Sequence, residues 1–460
     1  MTETAVDALR AGNDAIADLT ATTIARTGRG LDLSGCDLSG MDLAGADLRM
    51  ATLNRAQLHG TKLAGANLAG ATLICAGMER TDCRDADLTG AYVHALAAQV
   101  CKFDGARLRA LLDGTGSLWH GCSMRRADLS GARLAGSTFY QTDLTSAHLD
   151  GAQLQGSVFN ECVLAHTAFD NADVADVLVT KCYMANASFH RAAGARLVLQ
   201  RLTGADGLIL EDANLPQLRL ADVRAGGVLA AGLQADLLDL TQCVLPGIHL
   251  PASFLSGARL VACALEEADL TAAVLVEAAI RRCSFRGADL ANVHAENLHA
   301  VESSFREANL HAFSGRCAIF RDCDLTGVDL NNAYLYRAML TGDPPTALQL
   351  AEARLVNANL VQAYLAADLS GADLHGAKLA YARLNQCIFD HAVLAGAGLY
   401  EASCVKTRFV DADVTGLRAP FFADRCPGLE EALRRAHAEE ALACVEALKA
   451  VTRLGAGGST

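Results

Sequence analysis

From Leu31 to Leu73 the chain reads LDLSG CDLSG MDLAG ADLRM ATLNR AQLHG TKLAG ANLAG ATL, with a Leu at every fifth position from Leu33 onward. A small residue stands two places before most of these Leu, with Leu31 and Met41 as exceptions, and polar or small residues fill the rest. A period of five is neither the 3.6 of a helix nor the 2 of a strand. It predicts a chain that turns a corner once per repeat. The pattern, centred on Leu or Phe, runs nearly to Gly416. It keeps one register from Leu33 to Leu108, stumbles over Arg109–Ser123, and continues shifted by one from Met124 to Phe189. A second stumble spans His190–Leu208, and the register is then unbroken from Leu210 to Leu340. Thr341–Leu350 keeps the beat, but Pro344 and Pro345 cannot donate ladder N–H groups, so an outward loop is expected there. One residue is lost between Leu365 and Leu369, and the pattern ends near Val414.

The spacing of like residues indicates how many corners close a coil. Phe139/Phe159, Phe169/Phe189, Phe285/Phe305 and Phe389/Phe409 lie twenty apart, as do Cys162/Cys182 and Cys243/Cys263/Cys283. Like residues stack when one lies above another, so a coil has four sides. Two of every five residues then point inward: Leu or Phe into the lumen, and Ala, Cys, Ser or Thr into a crowded corner. Asp or Asn between them can bond the local backbone at the turn.

The ends depart from the beat. Residues 2–27 read as helix, with Val6, Leu9, Ile16 and Leu19 on one side and a weak point at Gly12-Asn13-Asp14. Residues 1–30 are expected to cap the first open coil; the alternative is that Ala17–Leu19 and Thr22–Ile24 are degenerate repeats. In residues 417–460, Glu430 and Glu431 precede a helical stretch, Lys449 and Arg453 close it, and Gly455 follows. Its apolar stripe includes Leu433 and Leu448. Such a helix can cap the last coil or mediate dimerisation; at roughly 25 residues, about 38 Å, it exceeds the width of one coil, which points towards a homodimer through this helix.

The motif, seen as Ala46-Asp47-Leu48, Ala66-Asn67-Leu68, Ala127-Asp128-Leu129, Ala288-Asp289-Leu290, Ala308-Asn309-Leu310 and Ala372-Asp373-Leu374, resembles the A(D/N)LXX consensus of pentapeptide-repeat proteins. The resemblance covers residues 31–416. It implies an all-β fold, a right-handed quadrilateral parallel β-helix, here with short terminal helices. Some proteins of that family protect or inhibit DNA gyrase by resembling DNA, and often dimerise through a C-terminal helix. The opening TIARTGRGLDLSGCDLSGMDL is also similar to pentapeptide-repeat regions joined to type VI secretion cargo adaptors.

Charge and chemistry narrow the function classes. The chain holds 52 acids against 39 bases, a net −13, and no basic stripe, so direct nucleic-acid binding is not expected. The N-terminus has neither the basic region nor the apolar run of a signal peptide, and no stretch is apolar enough to cross a membrane. A cytoplasmic protein with reduced cysteines is expected. Of the 16 Cys, most take the small inward slot, where a thiol packs as a small hydrophobe, and none shows zinc-like spacing. The histidines are scattered. No cofactor, metal or catalytic residue is predicted, and the chain reads as non-enzymatic. Three surface candidates remain besides the C-terminal stripe. Asp269, Asp289 and Asp329, with Asn309, should form an acidic column, read either as phosphate mimicry or as turn bonding. Asp42, Lys62, Asp82 and Lys102 should form a column of alternating sign. Trp119 is either a lumen plug or an exposed anchor. The leading expectation is an interaction scaffold for a protein partner not identified by the sequence. The alternatives are a DNA-mimicking gyrase or topoisomerase modulator and a type VI secretion accessory. Duplex DNA carries about one charge per ~1.7 Å, far more than this chain.

Overall fold

The five-residue beat is closed by β-turns. In the first repeats Cys36 N–H donates to Leu33 O at 3.2 Å, Met41 to Leu38 at 3.1 Å and Ala46 to Leu43 at 3.1 Å. The third residue of each turn is left-handed: Gly35 at φ 67°, Gly40 at 71°, and equally Arg55 at 57° and Asp85 at 57°. Glycine enters that region freely, whereas an L-residue gives up about 1–2 kcal/mol there. The interstrand ladder holds the corner in either case, so its outward side chain is free to vary. The Asp or Asn before each centre accepts from the amide two residues on, as Asp32 does from Ser34 at 3.1 Å and Asn67 from Ala69 at 3.1 Å.

The computed structural model describes residues 9, 11–342, 348–418, 421–437, 439, 441–443 and 445–446. They fall into two compact units, Met1–Gln234 and Ala235–Thr460. Each is a quadrilateral parallel β-helix, wound in the right-handed sense that L-residues favour for parallel crossovers. In the first unit Asp32 pairs with Thr52, Thr52 with Thr72, and Asp42 with Lys62, all parallel and twenty residues apart. From residue 77 on, one side of each coil extends into a three-residue strand, from β1 (Gly77–Glu79) to β8 (Arg219–Ala221). The corner after that side makes no turn hydrogen bond, and a buried hydroxyl or thiol takes over. Thr81 donates to Leu58 O at 2.5 Å, Cys101 to Met78 O at 3.4 Å, Cys122 to Ala98 O at 3.5 Å, Thr142 to Trp119 O at 2.8 Å and Cys162 to Phe139 O at 3.3 Å. The idle corner amide can turn to the sulfur one coil on, as Cys162 N–H does to Cys182 Sγ at 3.3 Å. The cysteine ladder therefore bonds as well as packs.

Helix α1 (Asn13–Thr27) covers the first coil. It starts after Gly12, whose φ is 103°, and stops at left-handed Gly28. Ile16 and Thr20 are buried, Thr20 Oγ1 donates to Asp47 O at 2.8 Å, and Asn13 Nδ2 bonds Ala44 O. Ala17–Leu19 and Thr22–Ile24 are helical rather than degenerate repeats; Val6 and the rest of residues 1–8 lie outside the described residues. The chain then passes under the first coil at Gly30, where a Cβ would sit 2.3 Å from Arg49 O.

Both stumbles are shorter than the sequence suggests. Asp87 pairs with Arg107, twenty on, but Tyr92 pairs with Asp113, twenty-one on. One extra residue is thus absorbed at 108–112, leaving Leu111 buried and Leu112 exposed. The beat resumes at Gly114, a centre without a side chain, so Trp119 is a regular centre in the strand Leu118–His120. Likewise Met184 N–H already bonds Gly204 O, and Ser188 pairs with Ile209, which confines the second insertion to 203–207. The slot that in most coils holds a thiol or hydroxyl holds Leu202 here and Val223 in the next coil.

In the second unit, strands run from β9 (Asp239–Thr241) to β14 (Met339–Thr341) at twenty-residue spacing. The next coil is longer: Asp324 pairs with Gln349 and Met339 with Tyr364, twenty-five residues apart. The surplus is one repeat, and Pro344–Pro345, predicted to loop out, lie outside the described residues. After β15 (Leu348–Gln349), the lost residue removes a turn. Strand β16 (Tyr364–Asp368) runs straight through the corner, pairing with β14 by its first three residues and with β15 by its last two. Strands β17 (Ser403–Val405) and β18 (Phe422–Asp424) follow.

Helix α2 is Leu429–Arg435, only 7 residues, where one helix of about 25 was expected. His437, at φ 51°, breaks it before helical residues resume at 439. Leu429, Ala432 and Leu433 are buried, as are Ala441 and Val445 farther on, and Arg435 Nη1 reaches Asp411 Oδ1 at 3.1 Å. These residues fold onto the last coil.

Candidate interaction surface

The acidic column exists, but its carboxylates are engaged. Asp269 pairs with Asp289, Asp289 with Asn309 and Asn309 with Asp329. Asp269 Oδ1 accepts from Thr271 N at 2.9 Å and Oγ1 at 2.6 Å, and its Oδ2 lies 3.0 Å from His249 Nδ1. Asp289 accepts from Ala291 N and Asn309 Nδ2, each at 3.0 Å. Asp329 accepts from Asn331 N at 2.9 Å, and Arg354 Nη1 stands 3.5 Å from it. Burial would raise the Asp269 carboxyl, but the Thr271 bonds and His249 outweigh it and hold it below the usual carboxylate range. The column caps turns and is closed by a cation at one end.

The alternating column is also in place. Lys62 Nζ lies 3.0 Å from Asp42 Oδ2, while Asp82 turns to Arg84 at 2.6 Å. Arg196–Asp176 at 2.5 Å and Lys181–Glu161 at 3.2 Å likewise join successive coils. Such exposed pairs are screened by solvent and add little to stability.

Two candidates leave the surface altogether. Trp119 is fully buried, edge-on to Phe103 at 5.3 Å and stacked on Phe139 at 6.1 Å, so it plugs the lumen and cannot anchor a partner. Leu433 is fully buried within the single chain, on the same face of α2 as the buried Leu429 and Ala432. Leu448 lies outside the described residues.

One surface feature was missed by the sequence reading. Met339, Tyr364 and Arg383 form an outward column on one side, flanked at the preceding corner by Arg337, Gln362 and Tyr381, and enclose a groove of about 690 Å³. Tyr336 Oη donates to Gln362 Oε1 at 2.9 Å, Arg337 lies 5.8 Å from the centre of the Tyr336 ring, and Tyr381 meets Tyr400 edge-on at 5.6 Å. The available signal was compositional: Tyr334, Tyr336, Tyr364, Tyr381 and Tyr400 are five of the chain's 8 Tyr.

Among the described residues, no group of three or more His, Cys, Asp or Glu is placed to hold a metal ion, and no helix is long and apolar enough to cross a membrane. Burial pushes the Cys323 and Cys387 thiols up to about 12 each, which keeps them protonated and unreactive.

The profile of pentapeptide repeats matches eight times, over residues 29–60, 51–91, 122–160, 253–292, 318–342, 349–389, 367–403 and 379–416. Among solved structures, the chain is similar to HetL, a pentapeptide repeat protein involved in heterocyst differentiation regulation from the cyanobacterium Nostoc. That likeness is 19% identical and covers 86% of this chain and 94% of that one, with a TM-score of 0.13. It is also similar to QnrB1, a plasmid-mediated fluoroquinolone resistance protein, at 18% identity, 54% and 91% coverage and a TM-score of 0.18. A third likeness is to the pentapeptide repeat protein Rfr23 from the cyanobacterium Cyanothece, at 14% identity, 35% and 92% coverage and a TM-score of 0.15. No curated protein matches the sequence.

Proposed function

The chain belongs to the pentapeptide-repeat family, and on that premise we propose that it serves as a non-enzymatic scaffold for protein–protein interaction. The observation that carries this reading is the independence of the outward side chains from the fold. Left-handed corners accept Arg55, Glu161, Lys181, Leu237, Tyr381 and His391 alike, because the ladder and the filled lumen hold the backbone. Each coil thus offers outward positions at fixed spacing, about 4.8 Å from the next coil, on which a binding surface can be composed.

The scaffold reading is tested by placing a photo-crosslinking residue at Leu118, Tyr183 or Tyr381 in the full chain expressed in its native host. A defined protein adduct from at least one position supports it. Absence of any protein adduct above an unirradiated control would refute it. Recovery of a secretion spike or effector would specify a type VI accessory. The DNA-mimic alternative draws less support, since the acidic column is occupied by turn donors, His249 and Arg354. Inhibition or protection of gyrase at micromolar protein in a supercoiling assay would nevertheless displace the scaffold reading. A homodimer through the C-terminal segment would have to use positions other than Leu429, Ala432 and Leu433, which are buried within the single chain.

A further inference from the structure

The groove on the second unit has a composition that the turns and lumen do not require. On four successive coils, from Ser314 to Asn385, two adjoining sides and the corner between them carry Arg316, Arg321, Arg337, Lys378 and Arg383 and no Asp or Glu at their outward positions, although Arg321 faces Asp322 of the following corner at 3.7 Å. This occurs in a chain whose net charge is −13. Arg337 and Arg383 make no ion pair with a described residue, whereas Asp42, Asp176 and Glu161 elsewhere are paired. Aromatic rings stand beside these cations. Tyr381 is 48% exposed and Tyr400 46%, and they brace one another edge-on.

We infer that this groove receives a short, extended acidic segment of a partner protein that carries an aromatic or aliphatic anchor. The inference rests on the scaffold reading and names the kind of partner it takes. Three points argue for that occupant. Unpaired guanidinium groups favour carboxylates and bind them as a planar fork. Tyr and Arg are the side chains that dominate protein-interface energetics, and here the rings are held by the Tyr336–Gln362 bond and by each other, so little side-chain entropy is lost on docking. The extent also fits. From the coil of Arg316 to that of Tyr400 is four interstrand spacings, about 19 Å, or about six residues of extended peptide. A long polyanion is disfavoured, because Glu296 and Glu401 stand at the two ends of the same columns, within reach of a Debye length of about 8 Å.

The test uses the full chain and fluorescence anisotropy. The probe is a labelled hexapeptide of four aspartates around a central Phe-Leu pair. The comparators are the same peptide with lysines for aspartates and a labelled six-nucleotide thymidylate. The acidic peptide is expected to bind, with affinity falling at least tenfold in Arg337→Glu/Arg383→Glu, at least threefold in Tyr381→Ala, and not at all in the remote Arg55→Glu. If the double variant does not fold by circular dichroism, Tyr381→Ala decides. No binding of the acidic peptide, equal binding by the groove variants, or tighter binding of the oligonucleotide would overturn the inference. A protein adduct formed from Leu118 or Tyr183 would still uphold the scaffold reading, so the two can fail separately.

Discussion

Trp119 offers the sharpest test of the lumen. The indole is fully buried between Phe103 and Phe139, and its Nε1–H has no acceptor. Truncation to Ala removes the largest inward side chain of the unit and leaves a cavity that neighbouring centres cannot fill, since Gly114 in the same coil contributes no side chain. A buried Trp or Phe cut to Ala costs about 3–5 kcal/mol. Trp119→Phe is a different case. It loses part of the ring contact but also removes a buried donor without a partner, itself worth about 1–3 kcal/mol. The two effects oppose, so the Phe variant should lie within about 1.5 kcal/mol of the parent. Urea unfolding followed by far-ultraviolet circular dichroism measures both variants, since fluorescence is lost with the only Trp. In the parent, Trp119 emission should be blue-shifted and resistant to aqueous quenchers. An Ala variant within 1 kcal/mol of the parent, or a Phe variant as damaged as Ala, would refute a packed lumen at this position.

Three further outcomes follow from the same geometry. Cys263 donates to Leu240 O and Val261 O, each at 3.4 Å, in a corner that Ser303 or Thr142 fills elsewhere; Cys263→Ser should therefore be nearly neutral, and Cys263→Ala about 0.5–1.5 kcal/mol worse by urea unfolding. Leu433→Ala should cost about 2–5 kcal/mol locally, read as lost amide-exchange protection over 421–437 with the mass in light scattering unchanged; a changed mass with protection intact would reassign Leu433 to an interface. Turn and salt-bridge partners hold Asp47, Asp82, Asp269 and Asp413 below the ordinary value of 3.8. A depressed carboxyl stabilises the fold above its unfolded pKa and ceases to do so as pH falls through the folded one, so Tm should drop below about pH 4, and a main loss above pH 5 would contradict this.

Much of the fold was legible because one rule repeats. Leu, Phe and Cys at twenty-residue spacing revealed four sides, and Phe139–Phe159 do stack at 4.7 Å with rings 3° from parallel. The stumbles were over-read because Gly114 and Gly194 stand at centres and hide the beat, although the backbone keeps it. The corner role of the cysteines was hidden too, since a missing turn hydrogen bond leaves no mark in a five-residue period. The tyrosine groove was illegible for a physical reason. It lies where one coil takes twenty-five residues and the next nineteen, so Arg337, Gln362 and Tyr381 share a column that no fixed spacing connects. The C-terminal helix was misjudged because caps and an apolar stripe do not reveal the break at His437.

The corners have a consequence for how this chain tolerates a change of length. Extra residues at 108–112 and 203–207 and a missing one at 365–369 leave the coils beyond them in alignment, with partners again twenty apart by Thr138 and by Leu229. A deletion is healed by straightening, an insertion by bulging, and neither propagates. The segments 108–112 and 203–207 are therefore natural ports: a tag, probe or small domain grafted there should leave every face beyond it in phase, whereas the same graft in a side would cut the ladder.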